Sequence, residues 1–291
     1  MILRASKPSS LVLLMRGSLM CSVAVGLCGA TYADNPPTIV NRTEFPQFAV
    51  IGRLESRRKV HVDGTSGFSK GSASLVSPCY VLTAAHVVLP DTFHVSADVD
   101  YTMDFRVGVG RSTPFLGHVA AQPDFSTMQT TKGKELLLLK LPPDKCVGSL
   151  ASIGWLEPAS VPLTTGQAVT AAGYPGGRPD GTFAIGYGRT GPRTADGRIG
   201  FTGSTVGGQS GGPVLTWENG TIKLLGVVSA QVGSAAAQSY QHYSPENANE
   251  VEDAVEFLNR PFVKAKLDAD KAAFGRPNPA AGRLSMDHLP R

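Results

Sequence analysis

The chain has 291 residues with 27 basic and 23 acidic side chains, and its formal charge of +4 is too small to name a partner. It has no basic run interleaved with aromatics to suggest nucleic acid, and no long apolar stretch beyond its N-terminal region to suggest a membrane span. The 33 Gly and 21 Pro, spread between short Val-rich or aromatic-rich runs, favour many strands joined by turns.

Arg4, Lys7 and Arg16 make a basic beginning, and the apolar run 17–29 that follows is too short to cross a bilayer. Thr31-Tyr32-Ala33 puts small residues at the two positions that a signal peptidase inspects. The reading is a secretory signal peptide over 1–33, cleaved near Ala33, and a secreted or periplasmic product with no membrane span after processing. The alternative is a retained anchor carrying a lipid on Cys28. Leu27 argues against it, because bacterial lipoprotein signals resemble one another in having a small residue before the cysteine. Cleavage would leave 24 basic against 23 acidic residues in a chain of about 258, enough for one large β domain or two small ones.

Candidate strands follow at Phe48–Leu54, Ala73–Ser77, Tyr80–Ala85, Phe105–Gly110, Leu136–Leu141, Ala168–Gly173, Phe183–Tyr187, Pro213–Thr216 and Ile222–Ala230. Helical periodicity enters only near the end. Val251, Val255 and Leu258 share one face after the polar stretch Ser244–Asn249, and Pro261 breaks or restarts the helix. From Asp268 the chain turns to Pro, Gly, Ala and charge, which predicts a poorly ordered tail. Cys21 and Cys28 would leave with the signal. In an exported protein the remaining pair, Cys79 and Cys146, is most simply one disulfide, with two buried free thiols as the alternative. The histidines and acids show no metal-ligand spacing, and no cofactor is implied.

Gly207-Gly208-Gln209-Ser210-Gly211-Gly212-Pro213 carries the chemistry. A hydroxyl flanked by glycines sits where the backbone can turn sharply, approach a substrate and aim adjacent amides at one oxyanion. By itself such a run is also an ordinary glycine-rich loop. Tyr80-Val81-Leu82-Thr83-Ala84-Ala85-His86 changes the weighing, since an apolar strand ends there in small residues and a histidine. The other five histidines lack any such context. An imidazole held this way can act as a base while its second nitrogen meets a carboxylate.

Thr83–His86 and Gly208–Pro213 resemble the histidine and serine motifs of trypsin-like peptidases, with a likeness that extends over roughly Ile39 to Ala230. Within that superfamily Ser204–Ser210 and Ala172–Gly176 are similar to stretches of the bacterial V8-like glutamyl endopeptidases. The resemblance implies an all-β, chymotrypsin-like fold of two six-stranded antiparallel β-barrels with the active site between them and a C-terminal helix. The expected organisation is an N-terminal segment 34–44 and a peptidase domain 45–260. Within that domain, the first barrel spans about 45–145, the second about 160–240 and the helix about 249–260, with an extension 261–291 beyond, partly disordered. The roles implied are Ser210 as nucleophile, His86 as general base and the Gly208 and Ser210 amides as oxyanion hole. Glu135, heading the run Leu136–Leu139, stands in the place of the family's aspartate. Asp124 looks instead like a solvated turn residue beside Pro123. Ser229, nineteen residues after Ser210, matches the family serine of the substrate-lining strand.

Two departures bear on activation and specificity. Where activated relatives carry an aspartate before the serine, this chain has the uncharged Gln209, so an ion-pair switch looks unavailable even though Thr38-Ile39-Val40-Asn41 faintly resembles an activation site. The pocket positions implied are Ser204, Thr205, Val228, Ser229 and Gln231. None is acidic, and a buried Lys or Arg side chain with no counter-charge is costly, so small or uncharged residues are expected before the scissile bond. Val228 replaces the histidine shared by glutamyl endopeptidases, which weakens a preference for Glu, although Thr205 is compatible with it. The expectation is an exported serine endopeptidase acting on peptide or protein substrates through an acyl-enzyme. Two rivals remain. Glu135 in the acid position leaves room for a catalytically weak binding protein of the same fold. Gly208-Gln209-Ser210-Gly211-Gly212 also fits the nucleophile elbow of an esterase or lipase, but that elbow needs a helix after the serine, and 212–216 reads as a strand.

Overall fold

The computed structural model describes residues 37–41, 45–89, 98–107, 117–128, 135–146, 153–179, 181–195, 197–231 and 249–274. The expected signal peptide and the last residues of the tail lie outside them.

Six antiparallel strands close the first barrel: β2 (Ile51–Val60), β3 (Ser66–Leu75), β4 (Tyr80–Ala84), β5 (Val99–Val107), β6 (Gly117–Asp124) and β7 (Leu136–Lys140), in the order β2-β3-β4-β7-β6-β5. Among its deeply buried strands is β7. Leu136, Leu137, Leu138 and Leu139 are all fully buried, so both faces of this strand are covered and the usual alternation is lost. At about 1.5–3 kcal/mol for each fully buried leucine, this run is a principal source of cohesion. The hairpin of β2 and β3 runs on as a polar arm, with Lys59 opposite Ser66, and its turn is closed by the Asp63 carboxylate accepting the Thr65 amide at 2.8 Å. That polar arm is why both strands are longer than their apolar patterns predict.

The second barrel closes β8 (Ala168–Gly173), β9 (Phe183–Arg193), β10 (Ile199–Phe201), β13 (Asn249–Asp253), β12 (Thr221–Gln231) and β11 (Pro213–Glu218), with β11 returning to β8. A further strand, β1 (Thr38–Val40), pairs with β9 from Thr38 opposite Ile185 to Val40 opposite Phe183. The connection between barrels is stitched to both, because the Leu156 amide donates to Leu75 O and the Ala159 amide to Leu224 O, each at 2.8 Å. Together these elements give the two antiparallel barrels expected from the resemblance.

The C-terminal part differs from its sequence reading in detail. Residues 249–253 pair as a strand, and the helix begins only at Ala254, capped by the Asp253 side chain accepting the Glu256 amide at 2.9 Å. This short α3 (Ala254–Leu258) ends before Pro261, which opens a second helix, α4 (Pro261–Phe274). Val251 suits either period, since it is the buried residue between two glutamates of a strand as well as a helical neighbour of Val255. The ladder to β12 decides in favour of the strand.

Helix α4 is tied to the body of the protein. Val263 and Leu267 are buried in the main apolar cluster. The Asp270 carboxylate accepts the Ser77 hydroxyl at 2.6 Å and the Cys79 amide at 2.9 Å, while Lys266 pairs with Asp124 at 2.5 Å and Lys271 with Glu157 at 2.9 Å. Asp124 is therefore an anchor for α4 and not a solvated turn residue. Burial raises its pKa, but the hydrogen bonds from Lys266 and Ser126 outweigh that and hold its carboxyl below the usual range. Beside this clasp a disulfide joins Cys79 to Cys146, the last residue of the single turn α2 (Pro143–Cys146), across 67 residues of sequence. Replacing both cysteines by Ser is expected to lower stability by about 2–4 kcal/mol in urea unfolding, with a steeper slope as the unfolded chain is freed to expand.

Candidate active site

The paired strands β4 and β7 bring together residues far apart in sequence. Ala84 lies opposite Leu136, so Glu135, one residue before β7, stands beside Ala85, whose amide donates to the Glu135 carbonyl. Directly after β4, the single turn α1 (Ala85–Val88) presents His86, with its side chain 30 % exposed, while Ala84 and Ala85 are fully buried behind it. Neither alanine leaves exposed surface, so the space behind His86 suits small side chains.

Glu135 Oε2 accepts His86 Nδ1–H at 2.8 Å and the His86 backbone amide at 3.2 Å. A carboxylate only accepts, so this contact fixes the proton on Nδ1 and leaves Nε2 with its lone pair. The other oxygen, Oε1, accepts the Ser229 hydroxyl from the second barrel. Ser229 is the extra residue of a bulge in β12, where the register to β13 steps from Val228 opposite Val251 to Ala230 opposite Glu250. Bulges re-aim a side chain, and this one points Ser229 at Glu135. Its hydroxyl also lies 3.2 Å from Glu252 Oε1, and Glu252 Oε2 accepts the Glu135 amide at 2.7 Å.

Ser210 sits on the turn between Val206 and Pro213. Gly208 and Gly211 have φ of 92° and 80°, in the region that favours glycine. A Cβ on Gly211 would overlap the Thr83 hydroxyl, and one on Gly71 would press on Val87 while standing 2.9 Å from the Ser210 carbonyl. The serine turn is thus packed against the residues on either side of His86. Backbone bonds hold it there: the Ser72 amide donates to Ser210 O at 2.7 Å and the Gly211 amide to Val228 O at 2.8 Å. Ser72 also donates its hydroxyl to Gly208 O at 2.9 Å. Gln209, Gly211 and Gly212 commit their amides to Val206 O, Val228 O and Gln209 O, so the amides of Gly208 and Ser210, like that of Gly207, are not spent on these bonds within the turn.

Gln209 is fully buried and uses both ends of its amide: Oε1 accepts the Val206 amide at 2.9 Å and Nε2 donates to Ala184 O at 3.2 Å. The expected pocket residues are less open. Ser204, Thr205, Val228 and Ser229 are each buried, Val228 joins Ile199, Phe201 and Val251 in the apolar cluster of the second barrel, and Gln231 ends β12. Sequence reasoning passed over Ser72 and Glu252. Ser72 gives no signal, but Glu250-Val251-Glu252 alternates charged and apolar residue types, the period of a strand. Among the described residues no group of three His, Cys, Asp or Glu is placed to hold a metal ion.

Comparison with known proteins settles the lineage. Residues 66–227 match the family model described as a trypsin-like peptidase domain. The chain belongs to the trypsin-like peptidase family. A solved glutamyl endopeptidase in complex with MPD shares 18 % identity at a TM-score of 0.53, the match covering 82 % of this chain and 98 % of that one. A thermostable serine protease, AL20, from an extremophilic microorganism shares 17 % identity at a TM-score of 0.51, covering 76 % and 98 %. At these identities the likeness speaks for the fold alone. No curated protein matches the chain.

In this trypsin-like peptidase the tethers of Gln209 are the feature most exposed to test. Gln209→Leu leaves the Val206 amide and the Ala184 carbonyl without their partner, and is expected to cost about 1–3 kcal/mol of stability in urea unfolding, with earlier proteolytic nicking near the serine turn.

Proposed function

We propose that this protein is an exported serine endopeptidase in which Ser210, His86 and Glu135 act as a triad. What carries the reading is the 2.8 Å contact between His86 Nδ1 and Glu135 beside a glycine-flanked serine, within a trypsin-like peptidase chain. Ser210 Oγ attacks the scissile carbonyl as His86 Nε2 takes its proton, and the imidazolium that forms is stabilised by Glu135. The Gly208 and Ser210 amides bind the oxyanion. His86 then passes the proton to the leaving amine, and water repeats the sequence on the acyl-enzyme. Activity falls in acid as the imidazole takes a proton, because only its neutral form can act as base.

Export rests on the N-terminal reading and agrees with a disulfide, which persists in oxidising compartments. No helix among the described residues is long and apolar enough to cross a membrane. For specificity, Ser204, Thr205, Val228 and Gln231, together with the strand that carries Ser229, present no acid to a basic side chain. The rival reading, a binding protein of the same fold, draws on the glutamate in the acid position. A glutamate is one methylene longer than the usual aspartate, yet its bond to His86 has ordinary length.

The triad is checked by substitution in the mature protein. Ser210→Ala and His86→Ala are each expected to lose at least about 10³-fold in peptide hydrolysis. Glu135→Gln is expected to lose about 10³ to 10⁴ in kcat, whereas Asp124→Asn leaves turnover in place and only loosens α4. A fluorophosphonate probe should label Ser210 in the parent. Absence of labelling would favour the binding protein.

Cleavage-site profiling of a peptide library is expected to show small or uncharged residues before the scissile bond. Dominance of Arg or Lys there would overturn the pocket assignment.

A further inference from the structure

Behind the proposed triad lies a second carboxyl group that the mechanism above does not use. Glu252 is 2 % exposed and meets the Glu135 side of the site with both oxygens. Its Oε2 accepts the Glu135 amide at 2.7 Å, and its Oε1 faces the Ser229 hydroxyl at 3.2 Å. That hydroxyl also contacts Glu135 Oε1. Counting protons decides the arrangement. Two contacts join three oxygens, Glu135 Oε1, Ser229 Oγ and Glu252 Oε1, but Ser229 supplies only one hydrogen. The second must come from a carboxyl. Glu135 already accepts two N–H groups from His86, one of them on the ring that becomes cationic during turnover, so it is the better anion.

We propose that Glu252 is a positioning residue that acts as the neutral acid: it donates Oε1–H to Ser229, whose hydroxyl then donates to Glu135, holding that carboxylate on His86. The proposal rests on the triad reading. The charged surroundings agree with it. Arg198, on the segment leading into β10, is the cation that acts on Glu252, and it is ion-paired with Glu250 on the same strand. The next acid along, Asp253, faces Arg193 of β9 at 3.4 Å. Burial first, and the charge of Glu135 after it, push the Glu252 carboxyl up to about 8, against hydrogen bonds from the Glu135 amide and Ser229 and the charge of Arg198. Above that pH a second negative charge would sit beside Glu135, and the hydroxyl of Ser229 would be shared between two anions.

The test uses the mature protein and its Glu252→Gln and Glu252→Ala variants. Glutamine keeps both the acceptor for the Glu135 amide and a donor for Ser229. Expected is a kcat for Glu252→Gln that exceeds that of Glu252→Ala by about tenfold or more, at similar KM. The parent should lose kcat/KM above about pH 8 in a step that Glu252→Gln lacks. Equal loss in the two variants, or the same alkaline step in Glu252→Gln, overturns the proposal.

Thermal unfolding in a Ser210→Ala background gives a readout that needs no turnover. Folded Glu252 keeps its proton up to about pH 8, whereas the unfolded chain releases it in the ordinary carboxylate range. Its stabilising contribution is therefore complete at low pH and lost as pH rises through this window. The Tm of Glu252→Gln should climb relative to its parent between those limits and level off above them. A difference that stays flat overturns the proposal. If the wild type neither hydrolyses peptides nor labels at Ser210, the peptidase reading falls by itself, and the slope of this Tm difference alone decides whether Glu252 holds the proton.

Discussion

A carboxylate placed at the seam between two barrels is the constraint on which this site depends. Glu135 is 9 % exposed, so its charge has to be met by donors from the protein rather than by water. The first barrel supplies two from His86, and the second supplies Ser229. Neither barrel alone can satisfy both oxygens. The contacts that choose the histidine tautomer are therefore also contacts that register one barrel against the other, and removing one partner would leave a buried carboxylate short of a donor at a cost of about 1–3 kcal/mol.

The serine turn obeys a steric version of the same rule. Gly211 must approach Thr83 more closely than any Cβ allows, and Gly71 must leave room for Val87 and the Ser210 carbonyl. Packing the serine turn against the residues on either side of His86 thus requires glycine in both barrels. Thr83 adds a hydrogen bond of 2.9 Å to Ser72 O, and Ser72 holds Gly208 O, so the strands flanking His86 and the serine turn are bonded through one residue. Positioning is cooperative here, which is why single contacts in such a site do not have separable values.

What could be read from the sequence follows from these constraints. Short motifs with unusual residue types, such as small residues before His86 or glycines around Ser210, carry their reason locally. Apolar strands such as β7 and β8 were legible for the same cause. Strands β6, β10 and β13 and the polar arm of β2 and β3 were not, because their pattern is set by what packs or pairs from elsewhere. Residues 249–253 show this best. Only the ladder to β12 distinguishes that strand from the start of a helix, and with the strand misread the inward-facing Glu252 went unnoticed. Asp124 was misjudged for a similar reason: its partner Lys266 lies 142 residues away on a helix that begins at Pro261.

The substitution of Gln209 for a charged residue shows how a fold can keep a geometry while changing the force that maintains it. An aspartate at this position can hold the serine turn through an ion pair with an ammonium group. A neutral amide cannot, but it offers a donor and an acceptor, and both are used, on Ala184 O and the Val206 amide. Ala184 is also where β9 meets β1, opposite Ile39. The N-terminal segment and the serine turn consequently bear on the same residue of β9, one through ladder pairing and the other through the Gln209 side chain. Two neutral hydrogen bonds are each worth about 1 kcal/mol net and are insensitive to salt, so these tethers of the turn draw on pairing within the chain and not on charge.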